Sequence, residues 1–244
     1  MALTVSRPSL ALFASEPLRA AGDLIGHLAR PAAAAARSCD GHAVILFPGL
    51  GANALSMWPL RRHLSGLGYS ALDGGQGINT GPVGDVDAWL HALKDVVLER
   101  ADRVQGRRQP ISLVGWSLGG LYAREIAKLV PARVRRVITI GTPFNGTREQ
   151  TNVGWLFKLL NGQAPPDTPQ LLARLATPPP VPTTAVYSRR DGVVAWQSCQ
   201  HGRSVRSDVE DIEVSASHLG MGWSRSVLGV VARELARPAP RAAA

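Results

Sequence analysis

Ile111-Ser112-Leu113-Val114-Gly115-Trp116-Ser117-Leu118-Gly119-Gly120 is the stretch that decides the fold. Its first four residues are mostly apolar, short and partly β-branched, the pattern of a buried strand. From Leu121 to Val130 the spacing becomes helical: Leu121, Ile126, Leu129 and Val130 can share one face, with Arg124, Glu125 and Lys128 off it. Between the two lies Gly115-x-Ser117-x-Gly119. A bend that tight forces the serine backbone into strained dihedrals, and the positions two residues away must lack bulk, which glycine supplies. In a chain with 25 glycines the pattern alone is unspecific. The strand before it and the helix after it make it a serine nucleophile held on an elbow.

A serine hydroxyl is a poor nucleophile until a base takes its proton, and the base needs a third group to orient it. On an elbow of this kind the chain order is serine, acid, histidine. Two histidines follow Ser117. His218, in Ser217-His218-Leu219-Gly220, comes just after the candidate last strand Asp211-Ile212-Glu213-Val214. His201 lies in the polar stretch Ser198-Cys199-Gln200-His201-Gly202, with no strand immediately before it. The reading favours His218. The acid belongs at the end of the preceding strand, and Thr184-Ala185-Val186-Tyr187-Ser188 runs into a turn at Asp191-Gly192. Asp208, Glu210, Asp211 and Glu213 lie on or before the last strand, where a solvated edge or cap accounts for them. Attack on a carbonyl places negative charge on its oxygen, and backbone N–H groups already aimed there stabilise it. Leu118 follows the nucleophile and opens a helix, so its amide is one such donor.

Four pieces now stand in order: Phe47-Pro48-Gly49-Leu50-Gly51, the Ser117 elbow, the Asp191 turn and the His218 loop. Together they resemble the α/β-hydrolase superfamily, in its lipase and esterase branch, from about Val44 to the C-terminal helix. Thr139-Ile140-Gly141-Thr142-Pro143-Phe144-Asn145-Gly146 is similar to a segment of bacterial lipases, with Phe144 where those usually carry His; Pro48-Gly49 replaces their usual His-Gly. The resemblance implies a second oxyanion donor, Leu50, and a serine hydrolase cleaving carboxylic esters through an acyl-enzyme. An acyltransferase or thioesterase would use the same residues, and a non-catalytic lipid-binding protein could be built on the same scaffold. Residues 144–182 hold two apolar clusters, Trp155-Leu156-Phe157-Lys158-Leu159-Leu160 and Leu171-Leu172-Ala173-Arg174-Leu175, with Pro165-Pro166, Pro169 and Pro178-Pro179-Pro180 between and after them. The superfamily commonly places a cap or lid there. Two short helices over the elbow are the expectation, with Trp116, Phe144, Trp155 and Phe157 lining a site for a small lipophilic ester or lipid.

The rest of the chain alternates strand and helix, which means an α/β fold: a mostly parallel sheet of about six strands with helices on both faces. Strands are expected at 43–47, 69–72, 111–114, 134–140, 183–187 and 210–214, and helices at 16–29, 57–67, 85–103 and 223–235. The first helix should turn Leu18, Leu24, Ile25 and Leu28 inward; the Gly-rich loop 73–82 should shape the rim of the active site. In domain terms, 1–40 is an N-terminal helical extension, 41–236 the hydrolase domain with the 144–182 insertion, and 237–244 a disordered tail. The formal charge is +9, but lysines occur only at positions 94, 128 and 158, and the arginines are scattered without a recognition motif, which argues against nucleic acid. Two cysteines, Cys39 and Cys199, are too few for a disulfide scaffold. No ligand spacing suggests a metal, and no cofactor is expected. No run is long enough for stable membrane insertion. The short apolar run 10–13, followed at once by Glu16 and Arg19, is a poor export signal, so a cytoplasmic protein is expected. No feature specifies an oligomeric state.

Overall fold

The computed structural model describes residues 5–29, 40–106, 109–146, 168–202 and 206–238. Six strands form one parallel sheet: β1 (Ala43–Phe47), β2 (Ser70–Asp73), β3 (Ile111–Trp116), β4 (Val134–Ile140), β5 (Thr183–Tyr187) and β6 (Val209–Glu213). Their order is β2-β1-β3-β4-β5-β6. The order reverses at β1, so the connections after β1 and β3 leave on opposite faces and open a crevice at the carboxyl ends of these strands.

Both faces of the sheet are covered, which is why its strands read as continuous apolar runs. On β1, Val44 and Leu46 pack with Leu60 and Leu64 of α3 (Trp58–Gly66) and with Val227 and Val231 of the C-terminal helix Arg225–Leu235. Ala43, Ile45 and Phe47 point the other way. They meet Leu90, Leu93 and Val97 of α4 (Val86–Gln105) and Ala123 and Ile126 of α5 (Leu118–Leu129). Each fully buried aliphatic side chain contributes roughly 1.5–3 kcal/mol. α4 begins where Asp85 caps the Ala88 amide at 2.8 Å and ends at Gly106 with φ 86.

Two helices depart from the expected polarity. On α5 the face toward the sheet is Tyr122, Ala123, Ile126 and Ala127, and the residues expected to be solvated, Arg124 and Glu125, are buried. A second layer covers them. The short helix Pro169–Ala176, numbered α6 here, docks on α5 through Arg174 Nε to Glu125 Oε2 (2.6 Å) and Lys128 Nζ to Arg174 O (2.5 Å). Arg124 donates to the carbonyls of Leu175, Ala176 and Thr177. The C-terminal helix is accordingly α7. The N-terminal residues form α1 (Leu10–Ala14) and α2 (Glu16–Ala29). On α2 the expected inner face is outside: Leu18, Ile25 and Leu28 are 77%, 66% and 69% exposed, while Glu16 and Ala20 are buried. This helix binds the body through polar groups.

Among the described residues no helix is long and apolar enough to cross a membrane, and no group of His, Cys, Asp and Glu could hold a metal ion.

Candidate active site

Ser117 sits between β3 and α5 with φ 53 and ψ −123, the one non-glycine residue at positive φ among the described residues. Such strain costs about 1–3 kcal/mol and persists only where the surroundings over-determine it. Here they do. Ser117 N donates to Ile140 O at 2.8 Å, and Gly120 N donates to Ser117 O at 3.0 Å. The flanking glycines are required by contact: a Cβ on Gly115 would lie 2.3 Å from Gly119 O, and one on Gly119 would lie 2.4 Å from Phe47 O. Gly49 passes so close that its own Cβ would be 3.2 Å from Ser117 Cβ. The loop after β1 therefore lies against the elbow. The amides of Leu50 and Leu118 are not used in hydrogen bonds to the described residues. Asn79 braces this loop. Its side chain donates to Pro48 O (2.8 Å) and accepts from Tyr122 (3.0 Å), while its backbone carbonyl accepts from Gly51 N (2.7 Å).

His218 and Asp191 meet at the carboxyl end of the sheet, Nδ1 to Oδ2 at 2.6 Å. The other carboxylate oxygen, Oδ1, accepts from Val193 N and Val194 N, both at 2.8 Å, so the acid cannot swing away. A carboxylate only accepts, so the His218 proton sits on Nδ1 and Nε2 is the acceptor, without a partner among the described residues. Burial disfavours charging the ring. The Asp191 carboxylate, by charge and hydrogen bond, and Glu16 beyond it override burial and raise the His218 pKa above its ordinary value. Gly141, at φ 54, lies beneath the pair; a Cβ there would be 2.7 Å from Met221 Sδ and 3.2 Å from His218 Nδ1. Ser117 Oγ forms no hydrogen bond with His218 or with any other described residue.

The other site candidates lie elsewhere in the layers. Trp116 is buried behind the base: its indole donates to His218 O at 3.2 Å, with the rings 5.8 Å apart. Phe144 is 2% exposed, its ring 3.8 Å from the Arg124 guanidinium and 4.5 Å from the His201 ring. Both aromatics support the site from within rather than presenting a face to a ligand. Trp155 and Phe157 lie outside the described residues. His201 bonds Asp211 through Nδ1 (2.9 Å) and meets Arg124 Nη1 through Nε2 (2.7 Å), so both ring nitrogens are occupied. Cys199 is a free, buried thiol, its pKa pushed up by burial; Cys39 lies outside the described residues.

The Gly-rich loop lines two depressions. One, about 300 Å³, is bounded by Pro48, Asn53, Leu55, Gly75 and Ile78; the other, about 240 Å³, by Ile78, Thr80, Val83 and Trp89. The first borders the loop that carries Leu50. Asn79, Gly141 and Glu16 were not singled out from sequence. A Gly and an Asn in loops after strands are weak signals, and the partners of Glu16 are distant backbone amides that no pattern displays.

A model described as the alpha/beta hydrolase family matches residues 44–241. Among solved structures, a 2-hydroxy-6-oxo-6-phenylhexa-2,4-dienoate hydrolase from Rhodococcus sp. strain RHA1 aligns with TM-score 0.58 at 14% identity, over 81% of this chain and 91% of that one. A monoacylglycerol lipase from Paleococcus ferrophilus aligns with TM-score 0.56 at 15% identity, over 80% and 93%. A thioesterase domain from the curacin biosynthetic pathway aligns with TM-score 0.53 at 15% identity, over 81% and 92%. At such identities the likeness is one of fold. A comparison with curated proteins gives no match.

Proposed function

The chain belongs to the alpha/beta hydrolase family, and from that premise we propose that it is a serine hydrolase of carboxylic esters with lipophilic acyl groups. Ser117 Oγ attacks the ester carbonyl while His218 Nε2 takes its proton. Asp191 holds the ring and stabilises the imidazolium. The Leu50 and Leu118 amides carry the oxyanion, each such donor lowering the barrier by about 3–4 kcal/mol. His218 then protonates the departing alkoxide. Water, deprotonated by His218, attacks the acyl-enzyme and releases the acid and Ser117.

One observation carries this reading: a partly exposed serine held at φ 53 and bonded through its amide to Ile140 O, next to Gly141, whose own Cβ would lie 3.2 Å from Nδ1 of a His218–Asp191 pair with its second ring nitrogen unoccupied among the described residues. The Oγ–Nε2 hydrogen bond is not formed in this structure, and a catalytic hydrogen bond of this kind commonly tightens only around substrate. A lipophilic substrate is favoured by exposed Leu55 and Ile78 lining the 300 Å³ depression next to the oxyanion loop. Acyl transfer and thioester cleavage would run on the same residues, differing in acceptor or leaving group.

The test is a panel of p-nitrophenyl esters of increasing acyl length, assayed on wild type and Ser117→Ala. The expected result is turnover that rises with acyl length in the wild type and is lost in the variant. A folded Ser117→Ala enzyme that still turns over ends the reading.

A further inference from the structure

Resting on that reading, we propose that Glu16 of α2 is a positioning residue for the His218–Asp191 pair, joining the acid turn and the histidine loop into one unit. Its carboxylate is 2% exposed and faces three amides. Oε1 accepts from Gly192 N at 2.7 Å and from His218 N at 3.2 Å; Oε2 accepts from Leu219 N at 3.1 Å. Gly192 directly follows the acid, and the other two amides belong to the base and its neighbour. The carboxylate thus spans both members of the pair from the N-terminal end of the chain.

The carboxylate is itself held in place. Arg19 Nη2 pairs with Oε1 at 2.8 Å and donates to Leu12 O at 2.6 Å, and the same guanidinium donates to Ser15 Oγ and to Arg190 O, the residue before the acid. Further along α2, Asp23 Oδ2 accepts from Ser217 N (2.9 Å) and Ser217 Oγ (2.7 Å), and Trp223 donates its indole N–H to Ala20 O (3.0 Å). The fit leaves no slack: a Cβ on Gly192 would lie 2.4 Å from Leu12 O, and one on Gly220 would lie 2.3 Å from Asp23 Oδ2. The helix is clamped by its polar face, which is why its leucines point outward.

The charge behind the ring also differs from that at the other buried histidines. Burial lowers the pKa of His42 and of His201 despite their bonds to Asp40 and Asp211, and Arg135 and Arg136 near the first ring and Arg124 and Arg206 near the second lower them further. His218 faces Asp191 and Glu16, with Arg19 beyond Glu16 and Asp23 reaching the loop through Ser217. A second carboxylate beside the base favours the imidazolium that forms as Ser117 attacks.

The test is the rate at which a fluorophosphonate labels Ser117, measured against pH in wild type, Ser117→Ala, Glu16→Gln, Glu16→Asp and Arg19→Gln. In this reaction the Oγ–P bond forms, the P–F bond breaks and the proton passes to His218. Circular dichroism and thermal midpoints are recorded for each protein. Glu16→Gln should label roughly 10–100-fold more slowly, the cost of a small misplacement of catalytic groups. It should lose kcat rather than KM on a p-nitrophenyl ester, and its acid limb should move to lower pH because a negative charge facing His218 is gone. Glu16→Asp should recover part of the rate. Arg19→Gln keeps the carboxylate but strips its cation, so its acid limb should move to higher pH; this variant decides the matter if Glu16→Gln fails to fold. Wild-type rates with an unmoved pH profile overturn the inference and leave the triad standing. A rate lost only in proportion to a lowered thermal midpoint, with the profile unmoved, also overturns it. A wild type that takes no label, or labels no faster than Ser117→Ala, overturns the triad reading and this inference with it.

Discussion

Two serine–histidine–aspartate constellations lie at opposite ends of β3. At the start of the strand Ser112 Oγ meets His42 Nε2 at 2.8 Å, and His42 Nδ1 meets Asp40 Oδ1 at 2.6 Å. At its far end is Ser117, at the end of the sheet where His218 meets Asp191 at 2.6 Å, and the serine–histidine hydrogen bond is not formed. By hydrogen-bond distances alone the first set is the better triad. It fails on everything else. Ser112 is 1% exposed and lies within β3, whereas Ser117 is partly exposed and held in strained backbone by its neighbours. The loop that carries Leu50 lies against Ser117, and Leu118 follows it directly. Burial, with Arg135 and Arg136 nearby, keeps the His42 pKa low despite its bond to Asp40; at His218 the carboxylates of Asp191 and Glu16 outweigh burial, and the ring accepts a proton more readily. A triad is thus recognised by access, strain and surrounding charge more than by bond length alone.

The sharpest way to break the comparison is to remove each serine. Ser117→Ala should lower kcat/KM for a p-nitrophenyl ester by about 10⁴–10⁶-fold, with an unchanged thermal midpoint. Ser112→Ala should leave kcat/KM near wild type and cost about 1–3 kcal/mol of stability, because it orphans a buried ring nitrogen. Ester kinetics and thermal melts read both. Activity lost in Ser112→Ala with the fold intact would invert the assignment.

The acids give the next contrast. Asp191→Asn should reduce kcat/KM by about 10⁴-fold through the wrong imidazole tautomer. Asp211→Asn, which disturbs His201, should act on stability instead. Its partner histidine is held at both nitrogens, between Asp211 and Arg124, and has no lone pair to offer a nucleophile. His201→Ala should therefore melt earlier yet keep its turnover, whereas His218→Ala should keep its fold and lose it.

A smaller effect is expected from Asn79→Ala. This change removes the donor to Pro48 O and the acceptor for Tyr122 without touching Ser117. Loosening the loop that carries the Leu50 amide should lower kcat by roughly tenfold to a hundredfold, as small misplacements do. An unaltered kcat would show that the Pro48–Gly51 turn holds itself.

These outcomes follow how much the sequence displays. Strands β1, β4 and β5 begin and end where they were expected, because nearly every residue in them is buried and their β-branched and apolar residues mark that burial. The elbow was legible for a related reason: Gly115 and Gly119 can be nothing larger. The polarity of α2 was not legible. Its leucines look like a core face, and the groups that dock it are a carboxylate and backbone amides 176 and 202 positions away. Arg124 misled likewise. A charged side chain on a helix reads as solvated until a second layer of carbonyls is known to cover it. Phe144, noted in the lipase-like segment 139–146, was expected to line the substrate site, and its ring packs against Arg124 and His201.

The smallest expected effect uses pH, where the histidines should pull in opposite directions. His218 has a folded pKa above 6.5, raised by Asp191 and Glu16 against burial, and it must be neutral to act as base. The acid limb of kcat/KM should therefore lie above pH 6.5 and report the free enzyme. Its stabilising contribution is present below 6.5 and is lost as pH rises through the folded value. His42 and His201 have folded values below 6.5, burial being the first cause, so their contributions are present above 6.5 and are lost as pH falls through the folded values. Thermal midpoints measured from pH 8 down to pH 5 should fall less steeply in His42→Gln than in wild type, and more steeply in His218→Gln. Parallel curves in all three proteins would mean that the charges ranged behind these rings do not set their protonation, and the physical distinction between the two ends of β3 would rest on access and strain alone.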